Sequence, residues 1–202
     1  MEERGDAELM LRSAYRATPP NRWDELMQEL VHRMGFAGTV SDVSVIQPDD
    51  FTRPFVLSFA YRRAEYPDWK NEKISFPTPF FTLPDLTDEQ RISKMALPLG
   101  SPQEVTFETT VKLPKDFLPI IPENVSHKTD FAEFSAIYDL DKETVLHGTL
   151  RLKILRREVP GQKREEYVGL TKRVDEVLRR YIPIHLKFAI EGMEQMKLMM
   201  LL

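Results

Sequence analysis

The chain of 202 residues carries a formal charge of −4 and no cysteine, which excludes disulfides, thiolate metal sites and a cysteine nucleophile. Its 42% hydrophobic and 30% charged residues are those of a globular protein, long enough for one large domain or two small ones held by apolar burial alone. Fifteen prolines against eight glycines favour extended segments with rigid corners.

In chain order, the charged start from Met1 to Asp6 lacks the apolar region of a signal peptide, and Gly5-Asp6-Ala7-Glu8 reads as a piece of a longer chain. Ala7 to Ala17 mixes alternation with β-compatible residues and predicts a strand, stopped by Pro19-Pro20. Asn21 is a good N-cap, with Asp24 and Glu25 in the first turn that follows. Trp23, Leu26, Met27, Leu30, Val31 and Met34 then form one apolar stripe, so a helix is predicted over Asn21–Met34, closed by Gly35. Thr39 to Ile46 and Pro54 to Tyr61 read as strands around the turn cluster Pro48-Asp49-Asp50.

An aromatic and proline-rich stretch from Tyr66 to Pro84 marks the boundary between two expected lobes. The first is a βαββ unit over 5–83, the second a β-sandwich-like unit with a C-terminal helix over 84–187. The second lobe opens with a short helix or turn around Asp85 to Ser93, then Leu97 and Leu99. Glu104 to Leu113 alternates cleanly, with Val105, Phe107, Thr109 and Val111 opposite Glu104, Thr106, Glu108 and Thr110, as a half-buried strand does. Pro114, Pro119 and Pro122 confine the next segment to loop or edge. Phe131–Tyr138 and Thr144–Val159 are further β runs joined by a turn at 139–143. On the second, Leu146, Leu150, Leu152 and Ile154 lie opposite His147, Thr149, Arg151 and Lys153, so one face is expected to be wet. Tyr167, Leu170, Val174, Val177, Leu178 and Tyr181 form the stripe of a second amphipathic helix, Arg164–Tyr181, with Pro183 as its stop. The tail 188–202 is rich in Met and Leu, but its charges and length rule against a membrane span. The fold class expected is α+β and mostly β: sandwich-like antiparallel sheets with two packed amphipathic helices.

The charge is uneven. Residues 151–187 hold eleven Lys/Arg against five Asp/Glu, a local net of +6 that leaves −10 for the remainder. These cations are interleaved with Glu158, Glu165, Glu166, Asp175 and Glu176, and few aromatics are placed for base stacking, so a solvated surface is expected and no nucleic-acid partner.

Catalysis needs polar groups that converge, and the four histidines are scattered. No two-histidine helical spacing, nucleophile elbow or Gly-rich phosphate loop occurs. Glu29 and His32 share a helical face, a pattern found in carboxylate-bridged metal sites, but a plain surface pair explains them as well. Asp49-Asp50 and Asp139/Asp141 lack the alternating oxygen ligands of a calcium loop and fit turn chemistry. No acid or nucleophile is placed beside His147 by sequence. No cofactor, metal or catalytic residue is therefore assigned. Tyr66, Trp69, Phe76, Phe80 and Phe81 form the candidate ligand or partner surface, for a glycan or an extended peptide; the same rings also fit a cap over the core between the lobes.

Several segments resemble a known arrangement: Gly5-Asp6-Ala7-Glu8-Leu9 with Tyr15-Arg16; Val43-Ser44-Val45 with the Asp49/Asp50 turn and Pro54; Leu97-Pro98-Leu99-Gly100 before Glu104-Val105-Thr106. Val111-Lys112-Leu113-Pro114 and Arg151-Leu152-Lys153 with Glu166-Tyr167 follow. In that order they resemble the C-terminal β module of large exported bacterial proteins built around a transglutaminase-like, papain-like Cys-His-Asp core. The resemblance covers most of residues 5–185. It implies a periplasmic or cell-surface setting and a partner core domain that does the thiol chemistry, and it carries no catalytic residue onto this chain. The expected function is a non-catalytic accessory or scaffold module; the alternative is a stand-alone glycan- or peptide-binding β module using residues 66–81. A metal-dependent enzyme is the remaining class.

Overall fold

The longest alternating run becomes the hub of the architecture. In the computed structural model, which describes residues 2–33, 36–63, 73–75, 83–142 and 144–187, strand β10 (Val145–Ile154) pairs along its full length with β6 (Gln103–Lys112) and β9 (Ala132–Asp141). Around this trio the sheet grows to seven antiparallel strands. On one side stand β1 (Glu2–Arg4), β3 (Phe55–Arg62) and β2 (Thr39–Val45); on the other stands β8 (Val125–Lys128). The order is β2-β3-β1-β6-β10-β9-β8. A three-stranded sheet joins β4 (Lys73–Ser75), β12 (Tyr181–Leu186) and β7 (Phe117–Pro119), and a two-stranded one joins β5 (Leu97–Pro98) to β11 (Glu158–Val159). Four α-helices lie among the described residues: α1 (Asp6–Ala17), α2 (Trp23–Arg33), α3 (Asp88–Ile92) and α4 (Arg164–Leu178). The chain is therefore α+β and mostly β, with its amphipathic helices packed on antiparallel sheets.

Alternation decides which face is buried. Val105 and Phe107 of β6, Phe134, Ala136 and Tyr138 of β9, and Leu146, Leu150, Leu152 and Ile154 of β10 are all buried. They share one apolar cluster with Tyr167, Leu170, Val174 and Val177 of α4 and with Ile74, Ile182 and Ile184 of the small sheet. A second cluster gathers Tyr15 of α1, Met27 and Val31 of α2, Val40, Phe55 and Leu57. Phe55 lies opposite Glu3 and Glu3 opposite Val105, and directly opposed residues share a face, so both clusters sit on the same side of the large sheet. Among the described residues, the apolar packing of the seven strands is thus one-sided.

Residues 7–17, predicted as a strand, form α1 instead. The inward positions are Glu8, Leu11, Arg12 and Tyr15, at helical spacing, but two of the four are charged, which hid the stripe; Leu9 and Met10 face solvent at 56% and 71% exposure and mimicked alternation. The composition of strong helix formers agrees with the outcome. Ahead of α1 the chain turns at Gly5, whose φ of +97° suits glycine, and a Cβ there would lie 2.7 Å from the Cβ of Gln103. β1, an all-charged tripeptide inserted between β3 and β6, carries no strand signal and was not expected.

Arg12 is 1% exposed and ties α1 to the β2–β3 connection. Its Nη2 donates to the Arg53 carbonyl at 2.6 Å and its Nη1 to the Pro48 carbonyl at 3.0 Å. Its Nε donates to Glu8 at 2.8 Å. The guanidinium carbon stands 5.0 Å from the Phe51 ring centre and 5.5 Å from that of Phe55. One side chain thus gathers backbone carbonyls that no strand partner takes.

Other boundaries shift for local reasons. Asn21 does not cap α2; it lies in a 3-10 turn, Pro20–Arg22, that Pro19 opens. The second amphipathic helix ends at Leu178 rather than Tyr181, and Pro183 sits within β12. β12 pairs β4 as far as Pro183 and β7 from Ile184 onward, so the residue without an N–H falls where the strand changes partner. β7 is the edge strand that its prolines predicted. The short helix expected near Asp85–Ser93 is α3, closed by a capping box between Thr87 and Gln90.

Burial raises the phenol pKa of Tyr15, with the Asp24 carboxylate adding to it, and likewise that of Tyr167, to which Asp85 adds. Both exceed the ordinary value of about 10. The unfolded phenols ionise near that value while the folded ones stay protonated, so their contribution is complete below about pH 10 and is lost as pH rises above it. The urea midpoint is expected to fall steeply above about pH 10, and less steeply in the Tyr15→Phe/Tyr167→Phe double variant. Equal slopes in the two proteins would contradict this assignment.

Candidate functional site: the open face of the sheet

The ligand surface expected from Tyr66, Trp69, Phe76, Phe80 and Phe81 lies outside the described residues. The site the described residues build is the other face of the seven-stranded sheet, made by the polar half of each alternating strand.

Two rows of side chains cross its centre. At one end, Glu104 of β6 faces Lys153 of β10, which faces Glu133 of β9, which faces Lys128 of β8. Arg151, two residues along β10 and on the same face, reaches diagonally to Glu104, with Nε at 2.8 Å and Nη2 at 2.7 Å from the same carboxylate oxygen. Lys153 approaches the other oxygen at 3.6 Å. These pairs are partly solvated, so each contributes little to stability; their effect is to hold long side chains upright. Between β8, β9 and β10 they leave a depression of about 220 Å³ lined by Ser126, Lys128, Glu133, Ser135, Arg151 and Lys153. Lys128 is exposed at its rim.

At the other end, Thr110, His147 and Asp139 stand opposite one another on β6, β10 and β9. The Thr110 hydroxyl lies 3.0 Å from His147 Nδ1. Sequence reasoning placed neither a hydroxyl nor an acid beside His147; the signal lay in strand register, which a single sequence does not give. The Asp139 carboxylate accepts from the Leu140 N–H at 2.8 Å. An acid, an imidazole and a hydroxyl are therefore neighbours here, but the acid is engaged with backbone and does not orient the ring as a base relay requires. Between the two rows, Ile137 is 52% exposed, an apolar side chain in a polar field.

The remaining sequence candidates separate. Glu29 pairs with Arg33 and His32 bonds Gln28, so the two residues do not converge. Asp50 accepts from the Thr52 hydroxyl and N–H, and those two bonds, the hydroxyl first, hold its carboxyl below the ordinary range. Asp49 pairs with Arg16 at 2.7 Å. This is the turn chemistry that the sequence implied. Asp139 and Asp141 both lie at the end of β9, ahead of the hairpin turn in which Lys142 takes a φ of +52°. Among the described residues no group of three or more metal-ligating side chains comes together, and no helix of theirs is long and apolar enough to cross a membrane.

No protein-family model, curated protein or solved structure matches the chain.

Proposed function

We propose that the chain is a non-catalytic accessory module that docks a partner domain on the open face of its sheet. The observation that supports this reading most directly is the one-sidedness of the packing. Among the described residues, α1, α2, α4 and the small sheet cover one face of the seven strands, while the other presents the Glu104–Arg151–Lys153 ion pairs beside an exposed Ile137. An apolar contact bordered by an ion-pair row on one side and a Thr-His-Asp row on the other suits a recognition surface: the apolar residue supplies affinity and the polar rows supply register.

The resemblance of the segment order names the partner class, a transglutaminase-like core with a Cys-His-Asp constellation. A chain without cysteine would then scaffold that core, or present substrate to it, in a periplasmic or cell-surface protein, and leave the thiol chemistry to the partner. The test is binding of this chain to a separately purified transglutaminase-like core domain from the same parent. Ile137→Asp combined with Lys128→Glu is expected to weaken binding at least about tenfold. Met10→Asp, on the exposed side of α1, is expected to leave it unchanged. Hydrolase or transferase turnover by the purified chain alone would sink the proposal.

A further inference from the structure

The start of α4 holds a charge that the protein itself does not satisfy. Arg164 is only 6% exposed. Its Nη2 donates to the Met95 carbonyl at 2.6 Å, but its buried Nε and Nη1 have no hydrogen-bond partner. A buried cation with unmet donors is strongly unfavourable, and native proteins pair such groups or complete them with an acceptor. The carboxylate beside the preceding residue does not serve it: Asp130 lies 2.8 Å from Lys163 and 3.2 Å from Arg156, and no ion pair joins it to Arg164.

The surroundings suit an anion. Arg164 lines a cavity of about 790 Å³ with Arg91, Ser93, Lys94, Gln162 and Val168. Three of these side chains are cationic, and the one carboxylate in the lining, Glu165, is exposed. The cavity opens at the N-terminal end of a 15-residue helix that a 3-10 turn, Gly161–Lys163, extends by one turn; the helix dipole favours negative charge there. Its wall is fixed by close packing. A Cβ on Gly161 would lie 2.0 Å from the Lys94 carbonyl oxygen, so only glycine lets the Ser93–Met95 segment rest on the helix start and bring Lys94 and Arg164 to one cavity. Only the orphaned donors point to a ligand; the helix end and the two outer cations add to it.

We infer that the cavity between the Ser93–Met95 segment and the N-terminus of α4 binds a phosphate group, with Arg164 as its buried anchor and Lys94 and Arg91 at its rim. An excess of cations over carboxylate favours a dianionic phosphate over a single carboxylate. Exposed Ile92 beside the rim, at 86% exposure, leaves room for a phosphate carried on a larger molecule.

The test follows the backbone amides of residues 161–166 by NMR while inorganic phosphate, glycerol phosphate and acetate are titrated separately into the full chain at constant ionic strength. Phosphate is expected to shift these amides saturably, acetate much less. Glycerol phosphate binding more tightly than inorganic phosphate identifies a phosphate ester as the ligand; equal affinity identifies the free ion. Lys94→Gln, at an exposed position that the fold does not need, is expected to weaken binding about tenfold, while Arg173→Gln further along α4 leaves it unchanged. Arg164→Gln is expected to abolish the shifts while the remaining spectrum stays folded. If the amides of 161–166 do not respond to phosphate, or respond equally in Lys94→Gln and the parent chain, the proposal is overturned.

Discussion

Arg12→Ala is expected to lower the unfolding free energy by about 3–5 kcal/mol, the loss typical when one member of a buried, charge-assisted network is removed. The truncation leaves the carbonyls of Pro48 and Arg53 without their donor and Glu8 without its buried partner. It also opens a space between α1 and the rings of Phe51 and Phe55. Arg12→Lys separates these contributions. A lysine keeps the charge but cannot fork to two carbonyls at once, so an intermediate loss is expected. Urea denaturation of the three proteins decides the matter. If Arg12→Ala is within about 0.5 kcal/mol of the parent chain, as an ordinary surface substitution would be, the clamp is not what holds the β2–β3 connection to α1.

Phe131→Ala is the second large effect, again about 3–5 kcal/mol, because a wholly buried aromatic is replaced by a cavity. Phe131 is 0% exposed and stands where the sheet meets α4, its ring centre 6.3 Å from that of Tyr167. Its carbonyl also accepts from the Leu155 N–H at 2.8 Å as the chain leaves β10. Loss of the ring therefore loosens a helix and a strand end together. Amide exchange is expected to rise along α4 and at the end of β10, while β2 and β3, which belong to the other apolar cluster, keep their protection. Uniform acceleration over the whole sheet would mean that the two clusters unfold as one unit.

What was legible in the sequence depended on whether neighbours along the chain carried the information. β6 and β10 alternate so regularly that their buried and wet faces were readable residue by residue, and α2 and α4 declared themselves by their stripes. α1 does not declare itself in sequence because its inward stripe contains Glu8 and Arg12, charges that periodicity counts as surface. β1 has no apolar residue, and only the two strands it joins show why it pairs. Pro183 reads as a helix stop in sequence, whereas in the fold it marks a change of strand partner. The site shows the same division. The polar character of one sheet face followed from alternation, but the meeting of Thr110, His147 and Asp139, and the grip of Arg151 on Glu104, follow from register between distant strands. Arg164 left no signal at all, since an arginine at a helix start looks like any other surface cation.

The central claim is that the open face of the sheet, with Ile137 and Lys128 on it, docks a partner domain. Calorimetric titration of a transglutaminase-like core domain from the parent with this chain, and with its Ile137→Asp/Lys128→Glu variant, tests that claim most directly. Saturable binding by the parent chain that falls at least about tenfold in the variant, with the same fold retained, is the result predicted. Binding of equal strength by both, or none by either, would contradict it.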